Sequence, residues 1–231
     1  MLQLPLDFEL KVDATFDNFI EGDNALLVRE LNKISLGEPE FLYFYGAAGT
    51  GKSHLLQALA HTTADQDAFN LAYLPLNSEM VVPQMLAGFD SFDCVCLDDF
   101  QTILEKPDAA AWQESLFHLY NKLKEQNKSL VIAANEAPTG LPLQLQDLKS
   151  RLSAMFIHEI KSLSEQDKLL FIKRKSNEKG LALSDDLANF ILARSKRDLE
   201  SINASLEKLD AASLQAKRKI TKPFIKEVLN F

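Results

Sequence analysis

The chain has only two cysteines in 231 residues, Cys94 and Cys96. One residue apart on a strand, they share a face and cannot form a comfortable disulfide, so they read as core filler. Its four histidines are scattered, without the spacing of a metal site. No apolar run approaches the length of a membrane span, and Met1–Leu10 contains two acids and a proline, unlike a secretory signal. These absences predict a cytoplasmic protein without membrane contact. There is no internal repeat and no low-complexity tract. Glycine is scarce too: there are eight in all, and three of them, Gly46, Gly49 and Gly51, fall within one turn.

That turn is Gly46-Ala47-Ala48-Gly49-Thr50-Gly51-Lys52-Ser53, which fits G-x-x-x-x-G-K-[ST], a phosphate-binding loop. Phe41–Tyr45 before it reads as a buried strand and His54–Ala60 after it as a helix, the context such a loop requires. A backbone that curls over a polyphosphate needs residues without Cβ, so that its N–H groups can point at the anion. The helix opening at Lys52 adds unpaired N–H groups and the positive end of its dipole. In this pattern Lys52 reaches the β- and γ-phosphates and Ser53 ligates Mg²⁺.

Length and composition are those of one large globular domain or two small ones. After residue 40, strand patterns (Phe41–Tyr45, Asn70–Leu74, Asp93–Leu97, Ser129–Ala134, Met155–Ile160) alternate with helical ones (Lys52–Ala64, a short one near Glu79–Leu86, Ala109–Gln126, Leu145–Ala154). Alternation of this kind predicts a five-stranded, mostly parallel sheet covered on both faces. From Ser164 onward only helices are expected: Ser164–Lys179, Ser184–Arg194, Lys196–Leu214 and Thr221–Leu229. Ser164 is an N-cap, Gly180 follows the first of these helices, and Pro223 lies in the first turn of the last. The joint between the α/β and helical parts falls near Lys161–Leu163.

A second motif is Cys94-Val95-Cys96-Leu97-Asp98-Asp99, an apolar run ending in two acids. Beside a phosphate loop, Asp98 would hold Mg²⁺ through its water shell and Asp99 would orient or deprotonate an attacking water. Asn135, at the end of the fourth strand, either holds that water or the γ-phosphate from the other side or forms a turn before Pro138. The net charge of −8 is divided unevenly: residues 161–231 carry 15 Lys/Arg against 10 Asp/Glu, and residues 1–160 carry 10 against 23. An acidic body argues against wrapping nucleic acid over a broad surface. The basic part would face phosphates or simply be a solvated helical surface.

Together the loop, the Asp-Asp motif, the polar end of the fourth strand and the helical C-terminal part resemble an AAA+ ATPase with its lid. More closely, the chain resembles the relatives of the bacterial replication initiator DnaA over residues 15–231. Thr15-Phe16-Asp17-Asn18-Phe19-Ile20-Glu21-Gly22 is similar to the segment that opens the DnaA nucleotide domain and lines its adenine pocket, which implies that Phe19 and Ile20 contact the nucleotide. Gly49-Thr50-Gly51-Lys52-Ser53-His54-Leu55-Leu56 is similar to the DnaA loop and extends the implied nucleotide set to Ala48, Gly49, Thr50 and His54. Leu148-Lys149-Ser150-Arg151-Leu152 resembles the stretch with the arginine finger, which assigns that role to Arg151, acting on a neighbour's nucleotide. Arg197-Asp198-Leu199-Glu200 resembles the lid motif whose arginine senses the chain's own nucleotide, assigned to Arg197. A guanidinium suits both roles through its fixed charge and planar fork; without the resemblance, each would read as a surface ion pair.

Three departures from DnaA stand out. The sequence ends directly after the lid, so the helix-turn-helix that reads origin DNA is expected to be missing. The stretch between Ser53 and Asp98 is short for the helical insertion that initiators use on DNA. Asn135 stands where initiators usually carry Asp. At the other end, Gln3-Leu4-Pro5-Leu6-Asp7-Phe8 resembles the peptide that docks on the bacterial sliding clamp, with Gln3 for a polar subsite and Leu4, Leu6 and Phe8 as apolar anchors.

The resemblance therefore implies three parts: a clamp-binding tail (1–14), an AAA+ nucleotide domain (15–162) and a helical lid (163–231). It implies ADP or ATP with Mg²⁺ as cofactors, and as partners DnaA and the β subunit of the DNA polymerase III sliding clamp. A homodimer through the Arg151 face is possible, and no sequence-specific DNA contact is expected. The activity implied is negative regulation of replication initiation, by stimulating hydrolysis of DnaA-bound ATP. The chain's own loop would then be a conformational sensor first and a catalytic site second. A helicase loader or truncated initiator that binds single-stranded DNA shares the same core. A P-loop small-molecule kinase fits the Asp-Asp pair and the helical C-terminal part poorly.

Overall fold

The computed structural model describes residues 10–64, 66, 69–181, 183–196, 198–216 and 219–231. They form two compact units. The first comprises the residues up to Ala47 together with Gly51–Lys161, and the second comprises Ala48–Thr50 with Ser162–Phe231.

The first unit is a parallel five-stranded sheet of β1 (Phe41–Tyr45), β2 (Leu71–Pro75), β3 (Cys94–Asp98), β4 (Ser129–Ala134) and β5 (Phe156–Glu159). Its strands lie in the order β2-β3-β4-β1-β5, all pairs parallel. Because strand side chains alternate, each of β1–β4 feeds two cores, whereas the edge strand β5 is largely exposed. On one face Tyr43, Leu74, Val95, Leu97, Leu130 and Ile132 pack under α3 (Ala109–Glu125), through Trp112, Leu116, Leu119 and Leu123, and under α4 (Gln146–Ser153). On the other face Leu42, Phe44, Cys94, Cys96, Val131 and Ala133 meet α1 (Ala25–Ser35) and α2 (Lys52–Ala64). Burial on both faces is why β3 and β4 read as unbroken apolar runs; every residue of both is buried. Cys94 and Cys96 are free thiols in this core, their sulfurs 3.9 Å apart.

Two elements differ from the expectation. Helix α1 was not anticipated, although Leu27, Val28, Leu31 and Ile34 form its buried stripe at helical spacing. The helix expected near Glu79–Leu86 is instead a 3₁₀ segment, Pro83–Ser91. Val82 before the proline is extended (φ −123°, ψ 154°), as the proline ring demands, so no helical turn can begin before Pro83.

The second unit contains α5 (Glu165–Glu178), α6 (Asp185–Leu192), α7 (Leu199–Ala216) and α8 (Lys222–Leu229). Their common core is Ile172, Ala188, Ile191, Ile202, Leu206, Leu209, Phe224 and Ile225. Three of the four helices begin on hydroxyl caps: Ser164, Ser184 and Thr221 accept from the amides of Asp167, Leu187 and Phe224. Each satisfies one orphan donor of a first turn.

Candidate functional site

Since all five strands are parallel, the carboxyl ends of β1, β3 and β4 open on the same edge of the sheet. The register pairs Tyr45 with Ala134 and Leu97 with Ile132. The loop after β1, Asp98 at the end of β3 and Asn135 just beyond β4 therefore meet there, the edge at which ligands bind in open parallel sheets.

The loop is held by specific constraints. Gly46 donates its N–H to Ala134 O at 3.2 Å, and a Cβ at Gly46 would stand 2.6 Å from Ile160 Cγ2 and 2.7 Å from its carbonyl oxygen, so no larger residue fits. Gly51 has φ +94°, and a Cβ there would be 2.9 Å from the Phe19 ring. Phe19 thus lies against the loop, and its ring centroid is 5.8 Å from that of His54. His54 in turn bonds Thr15 O at 2.9 Å, which fixes the 15–20 segment, including the half-buried Ile20, to the start of α2.

Lys52 is buried, with its ammonium donating to the carbonyls of Gly46 (2.8 Å) and Ala47 (2.9 Å). Burial pulls its pKa below the ordinary lysine value, against the opposing pull of Asp99 and Asp98. Asp98 is 2% exposed. Burial pushes its pKa above the usual carboxylate value, while hydrogen bonds from the Ser53 and Tyr73 hydroxyls and the Asp99 amide favour the charged form. Tyr73 Oη donates to Oδ2 at 2.8 Å and Asp99 N to Oδ1 at 2.9 Å. Burial, together with Asp98, raises the Tyr73 phenol well above its ordinary value, so it stays a donor.

Asp99 is a non-glycine residue in the left-handed region (φ 53°, ψ 42°), at the point where β3 turns into the 3₁₀ segment Phe100–Leu104. Its carboxylate accepts from Asn77 Nδ2 (2.8 Å) and Gln101 Nε2 (3.2 Å). The same Gln101 accepts the exposed Asn135 amide N–H at 3.1 Å, and so ties the ends of β3 and β4 together. Among the described residues no group of three His, Cys, Asp or Glu side chains could hold a metal ion. Ser53 and Asp98 would therefore hold Mg²⁺ only together with phosphate oxygens and water, which is how that ion is usually bound. The amides of a glycine-rich turn, a lysine and a hydroxyl–carboxylate pair form a donor set that fits a nucleoside di- or triphosphate with its cation.

Within the second unit, a cavity of about 250 Å³ is lined by Ala48, Gly49, Thr50, Ser162, Leu163, Lys168, Asp198 and Leu199. Lys168 is 8% exposed, with Nζ 3.0 Å from Glu165 Oε1. Asp198 Oδ1 caps α7 by accepting from Ser201 N at 2.7 Å, and those hydrogen bonds hold its carboxyl below the usual range. Arg151, on α4 of the first unit, is exposed, and its guanidinium carbon lies 5.9 Å from the centroid of the buried Tyr120 ring. Arg197 and the tail residues Gln3, Leu4, Leu6 and Phe8 lie outside the described residues.

Sequence reasoning missed Gln57, Tyr73, Asn77, Gln101 and Lys168. Lys168 did carry a signal, since a cation in the first turn of a helix opposes the helix dipole and asks for another reason to be there. The other four could be found only once the strand order was known.

Comparison with known proteins bears on both units of the fold. Residues 10–159 match the bacterial DnaA ATPase domain, and residues 165–229 match the Hda lid domain. An uncharacterized protein of Haemophilus influenzae is 36% identical over 232 residues, spanning 99% of this chain and 98% of the relative. Domain III of the Thermotoga maritima replication initiation protein DnaA superposes with a TM-score of 0.82 at 21% identity, over 96% of this chain and 97% of that one. AMPPCP-bound DnaA from Aquifex aeolicus superposes with a TM-score of 0.72 at 25% identity, over 86% and 65%. With an AAA+ sheet unit that matches the initiator's ATPase domain and a helical unit that matches the Hda lid, the chain belongs to the DnaA-related AAA+ family.

Proposed function

We propose that this chain is a nucleotide-bound regulator of replication initiation that docks on the sliding clamp and stimulates ATP hydrolysis by DnaA. The observation that carries the reading is Arg151. It is solvent-exposed, backed by the buried Tyr120 ring, and lies on α4, the helix that leads into β5, while the chain's own loop, Lys52 and Asp98 face the other strand ends. A cation presented outward acts on a partner's phosphates, and an arginine supplied in trans is worth about 10³–10⁵ in rate. Gln3, Leu4, Leu6 and Phe8 tether the protein to the clamp.

In its own site the chain binds ADP or ATP with Mg²⁺. The amides around Gly49–Ser53 and the Lys52 ammonium, which here donates to the Gly46 and Ala47 carbonyls, would neutralise phosphate charge. Ser53 and Asp98 hold the cation, Arg197 reaches the chain's own nucleotide, and Asp99 and Asn135 place water. A divalent cation held there would supply neutralisation of phosphate charge. The Hda-type lid supports this regulatory reading.

Arg151→Ala should leave ADP binding and clamp capture intact and abolish the stimulation of DnaA–ATP hydrolysis. Retained stimulation would remove the finger assignment. Gln3→Ala should release the protein from immobilised clamp. A second reading, single-stranded DNA binding, is favoured by the excess of Lys/Arg over residues 161–231. It predicts retention on a single-stranded oligonucleotide that falls steeply with salt.

A further inference from the structure

The sheet face that carries Asp98 also carries a polar chain that no part of the proposed mechanism uses. On β2, Tyr73 pairs with Cys96 and Pro75 with Asp98, so Tyr73 and Asp98 point to the same face as diagonal neighbours. Over that face lies α2, whose Gln57 is 8% exposed. Four groups follow in hydrogen-bond contact: Lys11 N to Gln57 Oε1 at 3.0 Å, Gln57 Nε2 to Tyr73 Oη at 3.3 Å, and Tyr73 Oη to Asp98 Oδ2 at 2.8 Å.

The direction of this chain is dictated at its far end. A backbone N–H can only donate, so the Gln57 atom facing Lys11 must be the carbonyl oxygen. The Gln57 NH₂ then faces Tyr73 and donates to the phenolic oxygen, which leaves the single phenolic proton for Asp98. The other carboxylate oxygen takes the Asp99 amide. With donors fixed on both oxygens, the buried carboxylate has one rotamer and one orientation of its remaining lone pairs.

We propose that Tyr73 and Gln57 are positioning residues for Asp98, aligning its carboxylate toward the nucleotide-bound divalent cation. The proposal rests on the reading of Gly46–Ser53 and Asp98 as a nucleotide–Mg²⁺ site. Neither residue touches the nucleotide. Tyr73 acts through Asp98, and Gln57 acts through Tyr73. A wholly structural role would have Tyr73 stabilise the sheet with or without cation, whereas a positioning role appears only when the cation is present.

The test is the affinity for a fluorescent ADP analogue, measured with the full chain in excess Mg²⁺ and again in EDTA. For Tyr73→Phe, which keeps the ring and removes the donor, we expect about a three- to tenfold loss of affinity in Mg²⁺ and an unchanged value in EDTA. Gln57→Met, which keeps the length and removes both polar groups, should give a smaller loss of about twofold, also confined to Mg²⁺. In an Asp98→Asn background, Tyr73→Phe should add nothing, because the group it positions is gone.

Equal loss in Mg²⁺ and EDTA, no loss in either, or a full additional loss on top of Asp98→Asn would each overturn the proposal. Should Tyr73→Phe fail to give a cooperative melt, Gln57→Met decides the question by the same comparison. If the unaltered protein binds ADP with no Mg²⁺ dependence, the site reading itself fails and takes the proposal with it. If Mg²⁺ dependence is present and survives in Tyr73→Phe, only the positioning role fails.

Discussion

The two units solve the same packing problem in different ways. The sheet unit buries strands on both faces and carries two cores, one under Trp112 and α3 and one under α1 and α2. The helical unit has a single core around Ile191, Ile202 and Leu206, and its helix starts are fastened by Ser164, Ser184 and Thr221. In the sheet unit the position of a functional side chain follows from strand register. Asp98 is set against Pro75 and Asn135 lies just beyond Ala134 because backbone ladders leave no other choice. In the helical unit position follows from caps and first turns, as with Asp198 and Lys168. Precise placement of charge therefore belongs to the sheet, and the lid offers side chains whose placement depends on single hydrogen bonds.

This contrast can be broken most strongly in the sheet. Trp112 is fully buried, so Trp112→Ala should cost about 3–5 kcal/mol, read from denaturant unfolding. Leu206→Ala in the smaller core should cost about 2–5 kcal/mol by the same measurement, with the loss concentrated in the helical unit's amide-exchange protection. The loop gives a sharper comparison. Gly46→Ala must displace the Ile160 backbone, so we expect nucleotide binding to fall at least tenfold, whereas Gly88→Ala, with open space around it, should leave binding unchanged and stability equal or up to about 1 kcal/mol higher. Ser164→Ala removes one lid cap and should cost about 0.5–2 kcal/mol.

The smallest effect concerns pH. Burial and Lys161 pull the His158 pKa below its ordinary value, and its buried Nε2 has no hydrogen-bond partner among the described residues. The folded state therefore favours the neutral ring. The stabilisation is complete above the unfolded value near 6.5 and is lost as pH falls through the lower folded value. His158→Phe should flatten the decline of Tm between pH 7 and pH 5.

What the sequence discloses follows the range of the interactions involved. The phosphate loop, the Asp98-Asp99 pair and the helix caps are local patterns, and most strands and helices around them stand within a residue or two of where the pattern placed them; α7 begins at Leu199, three residues after the expected Lys196. The four buried apolar residues of helix α1 precede the strand–helix alternation that marks the other elements. The Pro83–Ser91 segment starts later than Glu79 because the proline holds Val82 extended. Tyr73, Gln57 and Gln101 could not be seen at all. Their partners lie 25, 16 and 34 residues away, and only the order β2-β3-β4 brings them together.

The strand order has a further consequence, for a chain that is still being made. Among the described residues β1, which leads into the loop, pairs with β4 and β5, and Glu40 at its threshold bonds Ser129, 89 residues later. At about 5–20 residues per second, the ribosome needs roughly 5–18 s to reach Ser129 and longer to supply β5. During that interval the emerging segment carries Phe41–Tyr45 as an apolar strand with two open edges. The nascent protein thus has a window in which the strand leading into the glycine-rich loop is open to aggregation and to chaperone capture.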